Sequence, residues 1–183
     1  MGSMSEVLVR LAGLLREEGG LMATLVVPEA QIGTAEQPSA ESPARIAAEG
    51  PHAEGRRAEY ELLVEAIYEG YLLHYGTPRV VRAPDANLSL LAGDRLYAIG
   101  LALLVAMGDT AAVAELADTI TLSALAQAAG ELALADAVWA AGARAVGWGS
   151  TDAHRRAKEL VLAGEPQAIE AMRTSAVGTP TPH

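Results

Sequence analysis

The 183-residue chain has no cysteine and no phenylalanine, and five tyrosines and two tryptophans are its whole aromatic complement. The absence of cysteine excludes a disulfide framework and any thiolate metal site, and it fits a reducing, cytoplasmic setting. With so few aromatic residues, alanine and leucine must supply the packing, and a chain rich in both favours helix over strand. Positive charge is also scarce: 13 Lys and Arg against 23 Asp and Glu leave a net charge of −10. A nucleic-acid partner, which demands a basic face, is therefore not expected. Long apolar runs are missing too. The longest uncharged stretch, Leu96 to Gly108, is 13 residues long, whereas a bilayer needs about 20. It reads as a buried helix, and no transmembrane segment is expected. Nor does the N-terminus read as a signal peptide, because Arg10 and "REEGG" interrupt its apolar positions.

What is present is helical periodicity. Val7, Leu8, Leu11, Leu14 and Leu15 fall on one stripe, which predicts a helix over residues 4–18. Residues 28–54 lose that period and gather Pro, Gly, Ser and Glu, a composition that reads as a flexible linker. From residue 55 to 173 the pattern is that of a helical bundle domain. "RRAEYELLVEAIYEGYLLHYG" stops at Gly76 with Pro78 beyond; Pro84-Asp85 opens a helix that ends at Gly108; Asp109 is placed to cap the next, which closes at Gly130. "ELALADAVWAAGARAVGWG" follows, then a helix capped by Ser150 or Thr151, then a short one after Pro166. Residues 174–183 read as a disordered tail. The expectation is an all-α antiparallel bundle of about six or seven helices, with no internal repeat.

Few residues carry chemistry. Glu61, Glu65 and Glu69 recur at i, i+4, i+8, opposite the Tyr60-Leu63-Ile67 stripe. Carboxylates suit hard cations, but no second acidic helix is evident, so the favoured reading is a solvated acidic face. His74 ends an apolar stripe and reads as a core or helix-end residue. His154 lies in "DAHRRAKE", a charged surface turn, and no Ser, His and Asp arrangement suggests a triad. Gly93-Asp94 stands out, because an interior helical glycine costs about 1 kcal/mol against alanine and a carboxylate needs partners. Close helix packing at Gly93 is expected, with Asp94 reaching solvent or pairing with Arg95 or Arg82.

Between residues 58 and 135, Gly76-Thr77-Pro78, Ala92-Gly93-Asp94, Gly108-Asp109 and Gly130-Glu131 occur in an order and spacing that resemble the middle of the polyprenyl (trans-isoprenyl) diphosphate synthases. The resemblance implies a truncated isoprenoid-synthase-like fold. In one register Glu65 and Glu69 stand at the outer positions of the family's first aspartate-rich motif, with Ala66 in place of its second aspartate. In another, "YLLHYG" overlies the family's Leu-Ile-His-Asp-Asp, so that Tyr75 and Gly76 replace both aspartates. The upstream Gly-Lys-Arg motif and a second aspartate-rich motif are missing, and Glu131 replaces a Gln. Metal ions stabilise the departing diphosphate in this family, so the resemblance implies a small, non-catalytic subunit like that of bacterial heptaprenyl diphosphate synthase. That subunit would be a regulatory partner of a catalytic prenyl diphosphate synthase in a hetero-oligomer, influencing product length. It would have no catalytic or metal-ligating residue and no cofactor of its own, Mg²⁺ belonging to the partner. Glu65, Glu69, His74 and Asp94 would be vestigial ligand-binding positions. Two alternatives stand beside it. One is a self-associating bundle that holds an apolar ligand, with "AVWAAGARAVGWG" as a homodimer face. The other is a residual enzyme using Glu65 and Glu69 with Mg²⁺.

Overall fold

The computed structural model describes residues 4–34 and 42–177. Among them are nine α-helices and no strand: α1 (Met4–Glu18), α2 (Gly20–Leu25), α3 (Pro43–Glu49), α4 (Arg57–Tyr75), α5 (Ala86–Ala106), α6 (Thr110–Ala128), α7 (Leu132–Trp148), α8 (Asp152–Leu162) and α9 (Ala168–Val177). The chain is all-α, as its composition dictates, with α2 and α3 beyond the helices that periodicity marks. Side-chain caps start three of the helices. The Asp85 carboxylate accepts from the Leu88 amide at 2.9 Å, Asp109 accepts from Ala112 at 2.9 Å, and the Thr151 hydroxyl accepts from His154 at 3.1 Å. Of the two candidate caps for α8, Thr151 takes the position.

Helix α4 lies at the centre. One side packs on α1, α5 and the segment after α2; the other packs on α3 and α7. Enclosure on both sides explains why α4 carries no clean polar face. Its contact with α5 is close. A Cβ built on Gly93 would lie 2.4 Å from the His74 ring and 3.0 Å from the Gly70 carbonyl oxygen; one on Gly100 would lie 2.4 Å from the Ile67 side chain. Numbers rise along α5 as they fall along α4, so the two helices are antiparallel and nearly in backbone contact. The expectation for Gly93 holds.

Residues 42–54 correct the linker reading. Helix α3 is anchored by buried Ala44, Ala47 and Ala48 against α4 and α7. Large apolar residues are not needed, because a Cβ on Gly50 would sit 2.1 Å from the Gly147 carbonyl oxygen; two glycines let the backbones touch. Residues 28–34 are also fixed: Gly33 N–H donates to the Arg79 carbonyl at 3.1 Å, beside a Val26–Val81 bridge. Residues 35–41 of the expected linker, and 178–183 of the expected tail, lie outside the described residues. Within the tail, Thr174–Val177 continue α9 instead of fraying.

Two further readings change. Helix α7 is no exposed dimer face: Ala137, Ala141, Ala143, Ala145 and Gly147 are buried, and a Cβ on Gly142 would strike the Thr119 side chain of α6. Helix α5 is long and apolar enough to cross a membrane, with mean hydropathy 1.7 over an 18-residue window, yet only a third of that window is buried. It is a core helix on one side and open on the other.

Candidate functional site

The four candidate residues fall in two places. Glu65 and Glu69, one turn apart on α4, are fully buried and meet Arg79, itself 2% exposed, from the α4–α5 connector. The solvated-face reading is thereby overturned for Glu65 and Glu69, while Glu61, a turn earlier, stays half-buried. Residues i, i+4 do share a face, but at Glu65 and Glu69 that face is covered, and it looks onto a buried cation. Glu69 Oε1 accepts from three successive backbone amides, those of Arg79 at 2.7 Å, Val80 at 2.6 Å and Val81 at 3.2 Å. Its other oxygen accepts from Arg79 Nε at 3.3 Å. Glu65 accepts from Arg79 Nη2 and, at 3.3 Å, from the Ser42 hydroxyl. The guanidinium carbon lies 5.4 Å from the Tyr68 ring centroid, and Nη1 has no hydrogen-bond partner. Burial pushes the Glu65 carboxyl above its usual range; Arg79 pulls it back, and Glu69 adds to the rise.

This arrangement does not fit Mg²⁺. A hard cation needs several carboxylate oxygens with free lone pairs and room for water. Here each carboxylate is already engaged by donors and neither touches solvent. The pair acts as an internal pin that fixes the connector onto α4.

His74 and Asp94 meet at the other place, the edge of the α4–α5 contact. His74 Nε2 lies 3.2 Å from Asp94 Oδ1, an ion-pair distance without hydrogen-bond geometry. The imidazole is stacked on Tyr97 with centroids 5.3 Å apart. The Asp94 side chain is 68% exposed, and its neighbour Arg95 pairs with Glu18 of α1 instead of with it. Asp94 thus reaches solvent, as expected, but its partner is a histidine and not Arg95 or Arg82.

Comparison of the chain with protein-family models, with curated proteins and with solved structures finds no match.

Sequence reasoning missed two groups. Arg79 sits in "RVVRAPD", read as a plain connector; its signal was a cation beside two valines, close to a helix with three carboxylates at i, i+4, i+8. His154 is not in a surface turn: it is 4% exposed. Its Nε2 lies 3.2 Å from Glu115 of α6 and its Nδ1 3.3 Å from the Ser175 hydroxyl of α9. A Ser–His–Glu string therefore exists where sequence suggested no triad. It is built for holding rather than for attack. The Ser175 hydroxyl donates to the Met172 carbonyl at 2.9 Å, and Glu115 is shared with Lys158 at 3.0 Å. Lys158 reaches on to Asp118 at 2.7 Å. Burial opposes ionisation of Glu115, but the hydrogen bonds of His154 and Lys158 and the charge of Lys158 outweigh it and bring its pKa down to about 2.

Proposed function

We propose that this chain is a non-catalytic subunit that pairs with a catalytic prenyl diphosphate synthase and influences the length of its product. One observation carries the reading. In the register that sets Glu65 and Glu69 on the family's first aspartate-rich motif, the two glutamates standing where the family holds its diphosphate-bound metal are turned inward onto Arg79, which leaves a fold without the reaction's carboxylates. The order of short motifs supports it. Gly76-Thr77-Pro78 follows α4, Ala92-Gly93-Asp94 lies in the first turns of α5, Gly108-Asp109 makes the α5–α6 turn, and Gly130-Glu131 the α6–α7 turn. The same inward pairing argues against a residual Mg²⁺ enzyme on Glu65 and Glu69.

The test is reconstitution. The purified chain is mixed with a bacterial polyprenyl diphosphate synthase catalytic subunit, Mg²⁺, an allylic diphosphate and isopentenyl diphosphate. A stable complex by gel filtration, and a changed product length only in the mixture, are expected. Turnover by this chain alone, or the absence of any complex, would overturn the reading.

A further inference from the structure

Both ring nitrogens of buried His154 face acceptors. Its Nε2 lies 3.2 Å from Glu115 Oε2 and its Nδ1 3.3 Å from the Ser175 hydroxyl. Glu115, with a pKa of about 2, is a carboxylate and can only accept. The Ser175 hydroxyl has one hydrogen, and it goes to the Met172 carbonyl at 2.9 Å. Toward His154 the serine oxygen therefore accepts as well. A neutral imidazole has one donor and one acceptor and can satisfy only one of these neighbours; an imidazolium satisfies both.

Charge gives the same answer. Helix α8 packs on α9 and α6. From α6 come Glu115 and Asp118, and from α8 itself Lys158, which donates to them at 3.0 Å and 2.7 Å. Lys158 repels a second cation at Glu115, but Asp118 offsets it. Two carboxylates and one lysine leave a single negative charge, which an imidazolium cancels. The other charged residues of α8 and α9, namely Asp152, Arg155, Arg156, Glu159, Glu170 and Arg173, are exposed. From this accounting we infer that His154 is a pH-sensitive latch, which as the imidazolium ties the last turn of α9 to α6. As pH rises the proton leaves Nδ1 for solvent, because Nε2 stays held by the Glu115 carboxylate. Nδ1 then meets the Ser175 oxygen lone pair to lone pair, and the tie is lost. The apolar packing of Ala168 and Met172 remains, so the end of α9 loosens while its start stays docked. The folded form holds the proton, so the anchorage is complete at low pH and fades as pH rises. This inference stands independently of the subunit reading.

Two measurements on the full chain test it, each at about pH 5 and about pH 8. Nitrogen-15 spectra of the His154 ring should show protons on both nitrogens in the acidic sample and on Nε2 alone in the alkaline one. Hydrogen exchange in the last turn of α9, corrected for the intrinsic base-catalysed rate, should quicken about tenfold between them, the scale of one charge-assisted hydrogen bond. Ser175→Ala removes the second acceptor from a half-buried position and should abolish that pH dependence. Ser175→Thr keeps the hydroxyl and should restore it. A singly protonated ring in the acidic sample would overturn the inference. So would a corrected exchange rate that does not change with pH in the parent, or the full acceleration persisting in Ser175→Ala.

Discussion

Two glutamate clusters in this molecule face cations, and their carboxyl groups respond in opposite directions. Glu65 is sealed inside α4 with one shared arginine and a second carboxylate beside it, and its pKa rises. Glu115 keeps some contact with solvent and has both His154 and Lys158 at hand, and its pKa falls to about 2. The residue type is the same, so the outcome is decided by how completely water is removed against how many donors replace it. The inner cluster constrains the fold at a cost in stability; the outer one stabilises the junction of α6, α8 and α9.

The comparison is broken most strongly at Arg79. Arg79→Met strands two buried carboxylates and should cost about 3–5 kcal/mol, seen as a large drop in the urea midpoint. Glu65→Gln, which leaves Arg79 paired with Glu69, should cost far less. Equal losses in the two variants would show that the cluster does not work by charge compensation. Next in size is Gly93→Leu, which forces a side chain into the α4–α5 contact at roughly 1–3 kcal/mol; it should lower the melting temperature, whereas Asp94→Ala one residue on should barely move it.

The pH profiles sharpen the contrast. Glu115 has a depressed folded pKa, so its contribution is complete above the unfolded value of about 4.3 and is lost as pH falls toward 2. After discounting for partial exposure this is about 1–2 kcal/mol, and Glu115→Gln should flatten the acid limb of a stability-versus-pH curve. Glu65 has a raised folded pKa, so the opposite holds: stability declines as pH rises above the unfolded value, and Glu65→Gln should remove that decline. The smallest effect belongs to the exposed pair of Arg155 and Asp152 on α8. Arg155→Ala should shift stability by under about 0.5 kcal/mol and disappear into the noise at high salt.

How much of this was legible depends on what each residue's neighbour had to be. Asp109 was readable as a cap, and Pro84-Asp85 as a helix start, because a cap acts on amides two or three residues away. Gly93 was readable because an interior helical glycine is a cost that only a close neighbour offsets. Glu65 and Glu69 were misread because a helical spacing tells which residues share a face but not what lies across from it, and Arg79 comes from a segment with no periodicity of its own. The α3 helix was missed for a related reason. Its Pro43 and Gly50 are ordinary start and stop signals, but its packing surface is alanine and bare backbone, which a count of large apolar residues does not register. The reverse error befell α7, where small residues read as an outer face are spent on α3 and α6.

The Glu69 carboxylate, holding three amides of residues 79–81, has a consequence for the order in which the molecule assembles. Residues 25–33 leave the ribosome before α4, but the edge they dock on is Arg79, Val80, Val81 and Arg82, a stretch whose amides are held by Glu69 of α4. A segment made before α4 is therefore secured only with it. A nascent chain stalled before Arg79 has emerged would carry α1 and α2 with their apolar stripe unclaimed, exposed to chaperones and proteases until the connector arrives.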